Sequence, residues 1–295
     1  MSFHHQLLII TRPIQKVIRQ IGCKLGLINP NRLRVLLYHD VPTNEEDSFY
    51  NQLVWLKKNW NIVTPLQFEE MISGKNPIIG NNLLITFDDG LASNRVVAEK
   101  ILNPMGIKAI FFVISEFIKT KDHLEARKFV SKYIIPESNI KDIPNNWRNL
   151  QWLDLSALIS QGHTIGHHTK MHKRLSKCIS ESELEEEIVL SAKEMAFKLD
   201  IEIKHFAYTF GDIDSFSKEA LLLASSQFDF VYSGLRGNNI NHTSPTAIRR
   251  DAAASQHLNN EYKILNNKLL GAFLDGFADF RYIDPRRKLD SWSRK

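Results

Sequence analysis

The chain has 295 residues, 43% of them hydrophobic, and a net charge of +5. That is enough for one large domain or two small ones with a substantial core. The positive charge sits at the ends: residues 1–39 carry six Lys/Arg and no Asp/Glu, residues 281–295 carry six Lys/Arg against two Asp, and the body between them is net acidic. This argues against a nucleic-acid groove across the fold, and two cysteines, Cys23 and Cys178, exclude a disulfide framework or a cysteine zinc site.

In chain order, the apolar run "QLLII" is cut off by Arg12 and Pro13, too short for a membrane span. No small-residue cleavage site follows it, so the expectation is a cytoplasmic chain without a cleavable signal peptide. Residues 12–27 place Ile14, Val17, Ile18, Ile21 and Leu25 on one helical face, with Arg12, Lys16, Arg19 and Lys24 around the rest. Such a helix can rest on the inner face of a membrane or pack on the domain, and both readings stay open. Residues 1–31 are therefore set apart as a basic amphipathic segment.

"RLRVLLYHDV" (32–41) reads as a buried strand, residues 66–74 as helix, and "NNLLITFDDG" (81–90) as a strand ending in two aspartates. "SNRVVAEKILNPMG" reads as a helix stopped by Pro104 and Gly106, and "IKAIFFVI" (107–114) as a strand, so the unit is strand–helix–strand with parallel strands. Residues 117–150 form a Lys-, Asn- and Pro-rich excursion. Beyond it come a helix (150–161), the segment "GHTIGHHTKMH", a long amphipathic helix (180–199), a strand (203–212), a helix (215–227), a strand (228–234) and a short strand in "TAIRRD". Residues 258–275 read as a C-terminal helix. The alternation implies one α/β domain over 32–255, an open sheet or a barrel, followed by a helix and basic tail over 256–295.

In parallel α/β folds, catalytic groups collect at the C-terminal ends of strands. Four polar clusters follow apolar runs here: Tyr38–Asp40, Asp88–Asp89, His167 and His168 with His172, and Tyr208–Asp212. His168 and His172 are four apart, but so are His163 and His167, so the spacing alone says little. Two imidazoles and a carboxylate make a common divalent-metal set with a position left for water. Asp88 or Asp89 can supply that carboxylate. Neighbours in a strand face opposite ways, but a turn at the strand end can bring both to one site, one binding metal and the other free as a base.

"TFDDG" (86–90) followed by "HTKMH" (168–172) resembles the polysaccharide deacetylases of the NodB-homology type, carbohydrate esterase family 4. "RVLLYHDV", "QWLDLSALISQGHTIGHHT", "HFAYTFGD" and "AIRRD" extend the resemblance over residues 33–255. It implies a distorted (β/α) barrel and a metal, expected to be Zn²⁺, held by Asp89, His168 and His172. It further implies Asp88 as catalytic base, His39 as general acid, and the Phe210 backbone N–H as a donor to the oxyanion. The implied reaction removes N-acetyl groups from an amino sugar of a polysaccharide or its precursor. O-acetyl ester hydrolysis and a non-catalytic glycan-binding module, with Trp147 and Trp152 stacking on sugars, are the alternatives. Three departures bear on the fine geometry. His167 stands where the family has Asn or Ser. Thr209 replaces the proline of "FAYPFG". Ala207 stands where some members carry an arginine that pairs with the base, a task that Arg249 or Arg250 could take over.

Overall fold

The computed structural model describes residues 3–136, 138–240, 243–256 and 262–293. Its centre is a parallel sheet of short strands: β1 (Arg32–Tyr38), β2 (Asn61–Ile62), β3 (Asn81–Phe87), β4 (Ile110–Val113), β5 (Thr164–His167), β6 (His205–Ala207), β7 (Phe230–Tyr232) and β8 (Asp251–Ala252). The order is β7-β6-β5-β4-β3-β1-β8, with β2 also against β3. β4 is apolar throughout, β1 from Val35 onward and β3 from Leu83 onward except for Thr86, and all three are buried along nearly their whole length, the pattern of strands covered on both faces.

One segment joins the two edges of this sheet. Ile248 bridges Tyr232 of β7 in parallel, and Asp251 and Ala252 pair with Leu36 and Leu37 of β1. The sheet is thereby a distorted (β/α) barrel. Alternate residues fill its interior: Val35, Leu84, Phe112, Ala207, Tyr232 and Ile248 form one cluster. The residues between them, such as Leu36, Ile85, Phe111 and Phe206, pack outward under the helices.

Those helices are α2 (Glu46–Asn59), α3 (Pro65–Ile72), α4 (Ser93–Val97), α5 (His123–Phe129), α6 (Trp152–Ser160), α7 (Glu181–Glu185), α8 (Ser191–Leu199) and α9 (Lys218–Gln227). α4 runs on into a π-turn at Ala98–Leu102, and a second π-turn at Glu186–Leu190 joins α7 to α8 into the single amphipathic helix that the sequence implies. α2 is an element the sequence reading passed over. Its buried face is Phe49, Gln52, Leu53 and Leu56, at helical spacing but with a glutamine in it. Gln52 earns its burial by accepting the Tyr38 hydroxyl at 2.5 Å and donating to the Leu265 carbonyl at 2.6 Å.

The ends of the chain are helical as well. α1 (Phe3–Lys24) precedes the barrel, and α10 (Asn267–Leu274) and α11 (Ile283–Ser293) follow it. The expected helix over 258–275 is corrected: residues 258–261 lie outside the described residues, Tyr262–Ile264 is a strand (β10) antiparallel to β9 (Ala254–Gln256), and the helix begins only at Asn267. The basic C-terminal segment is held against the body: in α11, Asp290 binds Arg249 at 2.8 Å and Arg286 donates to the Arg236 carbonyl, and just before α11 Asp279 binds buried Arg34 of β1 at 2.7 Å.

Candidate metal centre and active site

The barrel's alternation selects which residues reach the cavity at the C-terminal strand ends. On β1, Val35 and Leu37 point inward, so His39 follows them. On β3, Leu84 and Thr86 point inward, so Asp88 does. On β5, Gly166 lies against the Phe112 ring and His168 follows it. His39, Asp88, His168 and Arg250 all line a cavity of about 510 Å³, with Asp89, His172, Arg174, Tyr208 and Phe210.

Asp89 has the wrong parity and gets there by backbone conformation. Its φ is +73° and that of Gly90 is +85°, so two successive left-handed residues turn the chain. Asp tolerates this region better than most residues, at a cost on the order of 1 kcal/mol. Gly90 is needed for close approach too, since a Cβ there would lie 3.1 Å from the Val113 side chain. Thr169, His172 and Phe210 also have positive φ, so the cavity's rim is built on strained turns. At Phe210 the turn is closed by Gly211 donating to the Thr209 carbonyl at 2.7 Å. The Thr209 hydroxyl donates to the Lys173 carbonyl at 2.6 Å, so a hydrogen bond fixes the loop where proline would have fixed φ.

Asp89, His168 and His172 bring their ligand atoms within 4.8 Å of one another. His168 Nδ1 lies 2.8 Å from the Ala207 carbonyl and His172 Nδ1 lies 2.9 Å from the Tyr133 carbonyl. A carbonyl only accepts, so each Nδ1 carries the proton and each Nε2 is left with a lone pair. Both Nε2 atoms stand 3.6 Å from Asp89 Oδ1, itself buried and without a hydrogen-bond donor among the described residues. Three lone pairs thus converge on one point, an arrangement that calls for a cation. The residues fit a divalent metal. Without one, burial and the neighbouring Asp88 charge push the Asp89 carboxyl well above the usual carboxylate range. Burial also lowers His168 and brings His172 down to about 3, so both imidazoles are neutral, as ligands must be.

Asp88 is treated differently by its surroundings. Arg250 Nη1 and Nη2 donate to its two oxygens at 2.6 and 2.9 Å, and Arg250 Nε donates to the Ser233 carbonyl at 3.0 Å. Burial pulls the Asp88 carboxyl up, but Arg250 and then His168 outweigh it and hold it below the usual range. Two adjacent aspartates therefore keep opposite tendencies. Arg249 points elsewhere, to Asp290 and the Asn238 carbonyl.

His39 departs from expectation. It lines the cavity, but burial brings it down to about 4, with Asp88 pulling upward and His168 and Arg250 downward. It is therefore neutral at pH 7, whereas a general acid drawing its proton from solvent would have to be charged there. Next to His39, the Asp40 oxygens take the Ser93 hydroxyl at 2.5 Å and the Trp147 indole N–H at 2.9 Å. Trp147 is a buried anchor with no open face for a sugar. Trp152 is half-buried against the core, with Lys198 Nζ 4.2 Å from its ring centroid. His167 is neither ligand nor support: it faces out of the barrel, its Nε2 3.0 Å from the Ser191 hydroxyl and its ring near Phe206 and Phe228. His163 is equally structural, accepting the Ala109 N–H on Nδ1.

Sequence reasoning missed the carbonyls of Tyr133 and Ala207, which set the imidazole tautomers, and the wall formed by Ile134, Ile135 and Pro136. The only signal for the wall was an apolar "YIIP" inside an otherwise polar excursion.

The family model described as polysaccharide deacetylase matches residues 75–228, more than half of the chain. The chain belongs to the polysaccharide deacetylase family. Solved structures agree on the fold. IcaB from Ammonifex degensii is 18% identical, with a TM-score of 0.59, over 90% of this chain and 98% of that one. The Streptococcus pyogenes deacetylase PplD, solved with acetate, is 17% identical, with a TM-score of 0.60, over 76% and 93%. In sequence, the Bacillus subtilis protein YxkH, named for the same family, is 31% identical over 101 residues, 32% of this chain. The matched region is about a third (36%) of the length of that curated relative. Within the deacetylase match lie Asp88, Asp89, His168 and His172, whereas His39 and Arg250 come from outside it, brought in by β1 and by the segment that closes the barrel.

Proposed function

We propose that this chain is a metal-dependent hydrolase that removes N-acetyl groups from an amino sugar of a polysaccharide or its glycan precursor. The observation that carries the proposal is the convergence of Asp89 Oδ1 and the two Nε2 lone pairs beside a separate, arginine-paired Asp88. Asp89, His168 and His172 would hold the metal, Zn²⁺ being suited to a His₂–carboxylate set. When bound, such an ion supplies an activated water and polarises the acetyl carbonyl.

The rest of the work falls to side chains. Asp88, kept ionised by Arg250, receives a proton as water attacks the carbonyl carbon. The Phe210 N–H, on a turn held by Thr209, donates to the developing oxyanion. The carbon–nitrogen bond then breaks, and the leaving nitrogen must take a proton because an amide anion is too basic to depart. His39 delivers it. Since the cavity keeps His39 neutral, the proton that Asp88 took from the attacking water passes to the leaving nitrogen by way of His39, which leaves Asp88 ionised and His39 neutral again. The products are acetate and a free amine.

The test is acetate release from N-acetylated oligosaccharides by purified protein, with and without a chelator. Release that survives chelation, or Asp88→Asn, contradicts the proposal.

A further inference from the structure

Outside the cavity, α1 has two unlike sides. Its inner side is docked: Leu8 and Ile9 pack against Leu269, Phe273 and Ala278, and Arg12 binds Asp275 at 2.8 Å. Its outer side is not. Ile10, Ile14, Val17, Ile18, Ile21 and Leu25 are each 53–72% exposed and, at spacings of three and four, form one stripe along the helix. Single exposed apolar side chains are ordinary, but a continuous stripe marks a surface that something covers. No described helix is long and apolar enough to cross a membrane.

Charge says what covers it. The first 39 residues contain no Asp or Glu, and Lys16, Arg19 and Lys24 lie between the stripe and the body. With Arg12 and Arg32 they line a cleft of about 520 Å³ in which Asp275 is the one carboxylate, with Trp55 and Trp60 on its wall. Arg12 and Arg32 are held by Asp275. A second copy of the chain laid on this stripe would set cations against cations. An anionic lipid surface satisfies both features, taking the apolar stripe into the acyl boundary and the cations among its phosphates.

We propose that α1 lies in the plane of an anionic bilayer as a peripheral anchor, with the basic cleft seating lipid phosphate. α1 sits by Arg32 and Asn81, which start β1 and β3. The catalytic cavity opens at the other end of those seven-residue strands, roughly 20 Å away. The anchored chain therefore presents its cavity away from the lipid it touches.

The experiment is vesicle flotation of the full chain with phosphatidylcholine alone and with phosphatidylcholine containing phosphatidylglycerol. Wild type should float with the anionic vesicles and little with the neutral ones. The variant Ile14→Glu/Ile18→Glu/Ile21→Glu should lose roughly tenfold or more of its bound fraction. Lys16→Ala/Lys24→Ala should weaken binding and blunt its salt dependence. Circular dichroism and hydrolysis of a soluble acetylated glycan should be unchanged in both, and if the triple variant fails to fold, the lysine pair and the salt dependence decide alone. Absence of wild-type flotation, equal binding to both vesicles, or binding that neither variant reduces overturns the proposal. So does a wild-type dimer that the triple variant dissociates, since that gives the stripe to a second copy.

Discussion

Arg250 holds Asp88 by two parallel hydrogen bonds, from Nη1 at 2.6 Å and Nη2 at 2.9 Å, with both side chains buried. The arginine comes from the segment that closes the barrel, 162 residues further along the chain, so the segment that closes the fold also supplies the carboxylate's counter-charge. Arg250→Ala leaves Asp88 buried and unpaired, and should cost about 3–5 kcal/mol of stability together with most of the activity. Arg250→Lys keeps the charge but not the fork, and should retain more stability than activity. Urea denaturation and turnover, measured side by side, check both.

His167 should be dispensable for metal binding despite standing directly before His168. It lies on the outer face of β5, and burial brings it down to about 3. As pH falls below about 6.5, the unfolded chain protonates a histidine that the folded chain keeps neutral, so stability drops until about pH 3, by up to about 1.4 kcal/mol per pH unit for each such group. His167→Phe suits the neighbouring Phe206 and Phe228 rings. It should lessen the acid sensitivity of the urea midpoint while leaving metal affinity unchanged. Loss of metal binding would return His167 to the site.

Gly166 should tolerate no side chain. A Cβ there would fall 2.5 Å from the Phe112 ring inside the barrel. Gly166→Ala should cost about 1–3 kcal/mol, with partial rescue by Phe112→Leu, read from thermal unfolding of the single and double variants.

His39 separates amide from ester chemistry. An alkoxide leaves with less help than an amine, so His39→Ala should cost little on O-acetyl substrates and much on N-acetyl ones. Equal losses on both would remove His39 from the leaving-group step.

Much of this was legible in the sequence because period-two alternation and strand ends carry the site. The apolar runs before His39 and Asp88 predicted both the strands and the polar ends, whereas the short strand before His168, with Gly166 and His167 in it, carries no such run. What was hidden depended on chain conformation or on distant partners. The left-handed turn that rescues the parity of Asp89 leaves no mark beyond an Asp-Gly pair. Arg249 and Arg250 are adjacent and chemically alike, and only the register of the closing segment sends one to Asp88 and the other to Asp290. The depression of His39 comes from the walls around it, which lie far away in the chain. α2 escaped because Gln52 interrupts its apolar face.

The division of labour between the two aspartates is tested most directly by measuring metal affinity and turnover together in Asp88→Asn and Asp89→Asn. Calorimetric titration of each apo variant with Zn²⁺, alongside acetate release, should show Asp88→Asn binding metal nearly as wild type does yet failing to turn over, and Asp89→Asn failing at both. Asp88→Asn that loses the metal, or Asp89→Asn that keeps it, would contradict the account.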